Sequence, residues 1–218
     1  MAIQVEVWGD YALFSRPELK VERASYDVMT PSAARGILEA IYWHPGLKWV
    51  IDKIYVLNPI VFTNVRRNEV SAKISAANVK AAITNNKQGD LYLNTKDVIQ
   101  QRAAMVLKNV RYVIEAHFEM TAKAGEGDSP AKFQSITRRR LQKGQCFHTP
   151  YFGCREFPVN FKEYTEQEIC TAYPGSTREL GFMLYDMDYE DTGNIQPMFF
   201  RAVLKDGVLD LTDCEVYR

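Results

Sequence analysis

Apolar and polar residues alternate in "IQVEVWG", Ile3 to Gly9, so an extended chain there has one greasy side and one wet side. The pattern predicts a half-buried strand. In "YDVMTPSAARGILEAIYWHPG" the period lengthens: Ala34, Ile37, Leu38 and Ile41 recur three and four residues apart. Thr30 is placed to cap a helix, Pro31 suits its first position, and His44, Pro45 and Gly46 stop it. An amphipathic helix of about three to four turns follows. "LKWVIDKIYVLNPIVF" reads as a strand that Pro59 ends or bends, because proline cannot donate to a central ladder.

From Thr63 to Gln101 the pattern weakens into a polar, Ala- and Asn-rich stretch, read as an insertion (63–101) of strand fragments or a short helix. Alternation returns in "NVRYVIEAHFEM", Asn109 to Met120, and predicts a strand. "TAKAGEGDSP" is a loop. Ser129 and Pro130 then open a second helix that runs to Lys143 and stops at Gly144. Beyond it lie an aromatic loop, a Glu-rich segment and two strands, "QPMFFRAVLK" and "GVLDL", about an Asp206-Gly207 turn. The order strand, helix, strand, strand, helix, strand predicts an α+β fold. It matches a ferredoxin-like or RNA-recognition-type domain over residues 1–150, with a small C-terminal β-rich region over 151–218.

Composition adds few constraints: 218 residues, 46% hydrophobic and 25% charged, suit one generous domain or a domain with an appendage. No apolar run is long enough to cross a bilayer, and the opening "MAIQVEVWGDYALF" lacks a secretory pattern, so a cytoplasmic location is expected. Cys146, Cys154, Cys170 and Cys214 form no C-x-x-C pair and read as reduced thiols, with no metal site expected.

Charge changes the picture more. The formal net charge is zero, yet residues 61–155 carry 16 Lys/Arg against 7 Asp/Glu, and residues 156–218 carry 5 against 13. Either the acidic tail folds onto the basic middle, or the middle presents a field that phosphates can meet. On the second helix Phe133, Ile136 and Arg140 follow three and four residues apart with Leu141 nearby, which puts Arg140 on the apolar side, while Lys132, Arg139 and Lys143 follow at spacings of seven and four. Arg138, Arg139 and Arg140 cannot share one face. Arg139 is the best phosphate contact, Arg140 is placed to pair with a carboxylate, and Arg138, Lys143, Arg155 and His148 are further RNA-binding candidates. Phe147, Tyr151 and Phe152 are either stacking platforms or a local core.

Three stretches together carry a resemblance: "WGDYALFSRPELKVERASYDVMTPSAARGILEAIYWHP", "AKFQSITRRRLQKG", and "FGCREFP" with the later "LGFMLYD". The chain resembles the CRISPR-associated endoribonucleases of type I-C systems, the D variant of the fifth Cas protein family. The resemblance implies a repeat-associated (RAMP) protein with a ferredoxin-like domain and a C-terminal β-domain. Such a protein binds the repeat hairpin of CRISPR precursor RNA and cuts at its 3′ base without a metal or cofactor. It then stays on the 5′ handle in the Cascade surveillance complex, beside the backbone and large subunits. The family's proposed catalytic tyrosine falls on Tyr42 and its lysine on Lys132, but the histidine after that lysine is Phe133 here.

Metal-free cleavage has the 2′-OH attack the adjacent phosphate, giving a 2′,3′-cyclic phosphate and a free 5′-OH. Lys132 suits stabilisation of the extra charge on the phosphorane. Tyr42 suits orientation of the 2′-OH or passage of its proton, although packing at a helix end would equally explain it. For the missing imidazole the candidates are His44, two residues beyond Tyr42, and His148 in the aromatic loop; His117 reads as a surface histidine on a strand. A non-catalytic subunit that caps the handle is the alternative, and a cationic groove permits non-specific DNA binding.

Overall fold

In the computed structural model of the chain, residues 2–19, 21–85, 91–189 and 193–218 are described. Along the chain run β1 (Ile3–Ala12), β2 (Arg23–Ala24), α1 (Pro31–Ile41), β3 (Leu47–Val56), β4 (Phe62–Val70), α2 (Ala76–Thr84) and α3 (Thr95–Val98). There follow β5 (Ile99–Met120), α4 (Pro130–Lys143), β6 (Asn160–Glu163), β7 (Thr177–Asp188), β8 (Gln196–Lys205), β9 (Val208–Asp210) and β10 (Val216–Tyr217). The fold is α+β and mostly antiparallel. The strand path is β10-β8-β9-β3-β5-β1-β6, with β4 and β2 on the outer part of β5 and β7 on β8. Of these pairs only the short β2–β5 contact is parallel.

Alternation in β1 does what the sequence pattern requires. Val5 and Val7 are fully buried, and Val5 lies opposite Ile114 of β5. Trp49, Ile51 and Ile54 of β3, Ile37, Leu38 and Ile41 of α1, and Phe133 and Leu141 of α4 complete this core. In α1 the Thr30 side chain accepts from the Ala33 N–H and Pro31 opens the first turn. In α4 the Ser129 side chain accepts from Lys132 N–H, and Gly144 ends the helix in the left-handed region (φ 61°). Both helices thus begin and end where their cap residues dictate.

The expected insertion is organised differently from loose fragments. β4 pairs residue for residue with the first part of β5, from Phe62 opposite Leu107 to Val70 opposite Ile99, and α2 and α3 sit between the two strands in sequence. No residue of β4 or α2 is buried, which is why neither shows a clear apolar period. Residues 86–90 of this segment lie outside the described residues. β5 therefore begins ten residues before Asn109, its ladder supplied by β4 rather than by burial. Asn109 itself has φ 52°, a left-handed geometry that asparagine tolerates, and its carbonyl accepts from Asn58 Nδ2 at 2.8 Å. β6 and β7 occupy what reads from sequence as a Glu-rich connection.

Acidic residues after position 155 reach back to earlier cations. Asp186 takes a two-point bond from Arg35 (both 2.8 Å), Asp210 pairs with Lys53, Glu156 with Arg67, and Glu163 with Arg138. Part of the charge split is neutralised inside the fold. All four cysteines are free thiols, and no helix among the described residues is long and apolar enough to cross a membrane.

Candidate active site

The C-terminal end of α1 leaves carbonyls without helical partners, and three separate elements take them. Ala40 O accepts from the backbone N–H of Phe147 (2.8 Å) and of His148 (3.3 Å). Ile41 O accepts from the Arg140 guanidinium of α4, and Tyr42 O from Trp49 Nε1 of β3 at 2.9 Å. Arg140, expected to meet a carboxylate, instead caps this helix and lays its guanidinium over the Tyr42 ring, 5.0 Å from the centroid. Its place on the inner side of α4 leaves a carbonyl and an aromatic face within reach, and the cation takes both. Tyr42 is 6% exposed and leaves the helix in an extended conformation. Burial raises its phenol above the ordinary value, against the lowering pull of the Arg140 and Lys132 cations. The group is a proton-bearing donor at neutral pH.

His44 lies two residues on, with its ring 5.0 Å from that of Phe133. Its Nδ1 accepts the Gly46 N–H at 3.0 Å, so the neutral ring carries its proton on Nε2. Phe133 is fully buried, its ring also against Tyr42 (6.1 Å) and Phe118 (6.0 Å). The position that resembles the family's histidine is thus a packing position, and the imidazole resting on it belongs to His44.

Sequence reasoning missed Asp128. Its Oδ1 receives Lys132 Nζ at 2.9 Å, and its Oδ2 stands 3.8 Å from His44 Nδ1. Lys132 Nζ also donates to Gly127 O at 3.2 Å. The Lys132 hydrogen bond, with that of the Gly125 N–H, holds the Asp128 carboxyl below the usual carboxylate range. The loop carrying it is fixed on the turn after α1: Thr121 N–H donates to Gly46 O (3.0 Å) and Thr121 Oγ1 to Pro45 O (2.6 Å). A side chain at Gly46 would meet Ala124 Cα at 2.9 Å, so glycine is needed for this approach. The only forecast of Asp128 in the sequence is its spacing of four residues before Lys132.

Tyr42, His44 and Lys132 therefore converge, with Asp128 between the last two. Arg139 and Lys143 are exposed on α4, and among the described residues neither makes an ion pair. Arg138 is committed to Glu163 of β6 at 3.2 Å. With Arg139 it edges an open hollow on the outer side of α4 that also includes Ala131, Ser135 and Gln142. Arg155 is exposed in the loop before β6. Of the aromatic loop, Phe152 is fully buried in the core, while Phe147 is 77% exposed beside His148. Among the described residues no three His, Cys, Asp or Glu side chains are grouped to hold a metal ion.

The family described as "CRISPR-associated protein (Cas_Cas5)" matches residues 2–212. This chain belongs to the Cas5d family. A relative from Mannheimia succiniciproducens named CRISPR pre-crRNA endoribonuclease Cas5d is 54% identical over 213 residues, covering 96% of this chain and 94% of its own. A second of that name, from Thermus thermophilus, is 38% identical over 226 residues, 96% of this chain and 90% of its own. The fold is also that of a solved CRISPR-associated protein, at TM-score 0.71 and 24% identity over 100% of this chain and 97% of the other. A chain of a CRISPR RNA-guided surveillance complex shares it at TM-score 0.55 and 11% identity, covering 100% and 89%.

Proposed function

We propose that this Cas5d chain is an endoribonuclease that binds the repeat hairpin of CRISPR precursor RNA and cuts it at the hairpin's 3′ base without a metal. It remains on the 5′ handle of the product as a Cascade subunit. The observation that carries the reading is the convergence, in this chain, of a buried protonated phenol, an imidazole and an ammonium, and it is supported by relatives that are named for that activity. The strand order β6-β1-β5-β3, with α1 and α4 as the two crossings, supports a ferredoxin-like unit made of residues 1–150 together with β6 (Asn160–Glu163), so its edge strand lies past the boundary expected at residue 150. The rest of 151–218 adds the C-terminal β-rich part.

The RNA's 2′-OH attacks the neighbouring phosphorus and gives its proton to water, while the bond from phosphorus to the 5′ oxygen of the next nucleotide breaks and that oxygen takes a proton from the protein. Lys132, drawn from Asp128 toward the phosphate, stabilises the charge that builds on the phosphorane. Tyr42 donates a hydrogen bond that orients the phosphate or the 2′-OH. Protonation of His44 at Nδ1 turns that nitrogen from acceptor of the Gly46 N–H into a donor toward Asp128, and the imidazolium gives its Nε2 proton to the departing 5′ oxygen. Arg139 and Lys143 hold the hairpin's phosphates along α4, and Arg138, Arg155 and His148 extend that contact. The cationic surface also permits weak, sequence-independent DNA binding.

The test is cleavage of the chain's own repeat RNA in EDTA with the product ends identified, comparing wild type, Tyr42→Phe and His44→Ala. One cut with a 2′,3′-cyclic phosphate, lost in the variants, is the expected result. Tight binding with no cut would make the chain a handle cap instead, a reading that Phe133 in the histidine position favours.

A further inference from the structure

Most of the close-packed glycines here are needed because a neighbour leaves no room for a Cβ. At Gly9, Gly46 and Gly153 an added Cβ would meet backbone at 3.0 Å or less. Gly36 is different. It sits inside α1, where glycine weakens a helix, and a Cβ there would meet nothing within 4 Å. The space it leaves is a cavity of about 290 Å³ between α1 and the 148–153 loop. Ala33, Gly36 and Ala40 form its floor, Pro150 and Leu184 are among its apolar walls, and His148 stands in its lining.

We propose that this cavity takes one unpaired nucleobase of the bound RNA, next to the cut. The inference rests on the reading of the chain as an RNA nuclease and adds a specificity pocket to it. Three observations carry it. No Asp, Glu, Lys or Arg lines the cavity, although charged residues make up 25% of the chain, so the guest enters through an uncharged part. A nucleotide has such a part in its base, while its phosphate stays outside. The cavity lies at the small end of the range for ligand sites, about 300–1,000 Å³, which suits one flat ring system rather than a peptide or a run of bases. Its far end is Ala40, whose carbonyl holds Phe147 and His148 and which is two residues from Tyr42.

The lining offers what base recognition uses. His148 is exposed, with its ring edge-to-face against Phe147, and it lines the cavity together with Tyr151, so both rings are placed to meet a base. Ser32 Oγ, 3.1 Å from Thr30 Oγ1, retains hydrogen-bonding capacity toward the cavity. Phe147, 77% exposed, provides a face for the neighbouring base. The phosphates then run past the end of α1 toward Lys132, with bases on one side and cations on the other.

The experiment measures equilibrium binding of the repeat RNA to wild type, Gly36→Ala and Gly36→Leu, using RNAs carrying one abasic site at each unpaired position. Removing glycine from the helix interior should leave the melting temperature unchanged or raised in both variants. Gly36→Leu fills the cavity, so its affinity should fall about tenfold or more, and the one abasic site that weakens wild-type binding should cost it nothing further. A folded Gly36→Leu that binds as wild type does, or that keeps every abasic penalty, overturns the pocket while leaving the nuclease reading intact. Wild type that binds no repeat RNA overturns both. Independently of whether Gly36→Leu folds, thiouridine-substituted RNA bound to wild type should photo-crosslink within residues 148–153, and crosslinks confined elsewhere would also overturn the pocket.

Discussion

His44 and His117 each have an aspartate beside Nδ1, on opposite sides of one strand. His117 neighbours Phe118 in β5 and so points the other way, while Phe118 packs on Phe133, the ring beneath His44. His117 is the better paired: Asp52, on the bulge of β3, holds its Nδ1 at 2.8 and 2.9 Å from the two oxygens. His44 stands 3.8 Å from Asp128, its Nδ1 spent on a backbone N–H. A count of His–Asp contacts would favour His117, whereas the proposed function rests on His44. Surroundings decide instead: Asp128 is shared with an ammonium, and a phenol stands nearby, whereas Asp52 and His117 cross-link two strands.

The contrast is broken or sharpened by substitution. His44→Ala should lower the rate of RNA cleavage by about 10²–10⁴-fold with RNA affinity little changed, and His117→Ala should leave the rate alone. The reverse outcome, measured on single-turnover rates, would exchange their roles. Lys132→Ala should cost about 10²–10³-fold in rate and far less in binding. Equal loss of both would reduce Lys132 to a docking contact. Gly46→Ala acts on the His44 side alone, because the new Cβ forces Ala124 and its loop away and carries Asp128 with them. A rate loss on the order of tenfold is expected, with no matching change in RNA binding.

On the other side, His117→Ala should lower stability by about 1 kcal/mol, a loss of about 2–4 °C in melting temperature, since the pair is partly exposed. The smallest effect is on pH. The Tyr42 phenol is raised above its unfolded value of about 10, so between the two values the folded chain keeps a proton that the unfolded chain releases. The Tyr42 contribution to stability should be constant below that window and fall as pH rises through it. Tyr42→Phe should remove this part of the fall, read from denaturation midpoints against pH.

Much of this was legible beforehand, and the boundary has a physical cause. α1 and α4 announce themselves through Thr30, Pro31, Ser129, Pro130 and Gly144, whose effects are local, and β1 through an alternation that burial enforces. β4 has no buried residue and β5 buries little before Ala104, so this stretch is held by the pairing of the two strands and its residues are free of a clear period. Tyr42, His44 and Lys132 came from local motifs and resemblance. Asp128 did not, because its position depends on a loop seated against Gly46, a contact made across about eighty residues of chain. Arg140 was misassigned for the same reason: helical spacing placed it on the apolar side, but the carbonyl and ring it meets come from another helix.

The end of α1 has a bearing on when the protein becomes competent. Ile41's carbonyl waits for Arg140, 99 positions later, and Ala40's waits for Phe147. Synthesis runs from the N-terminus, so Tyr42 emerges seconds before the groups that will aim it. Closing such long loops is among the costlier steps of folding, made late rather than early. A half-synthesised or truncated chain therefore has Tyr42 without the cation that packs on its ring, and under the proposed function cleavage would begin only once α4 is made.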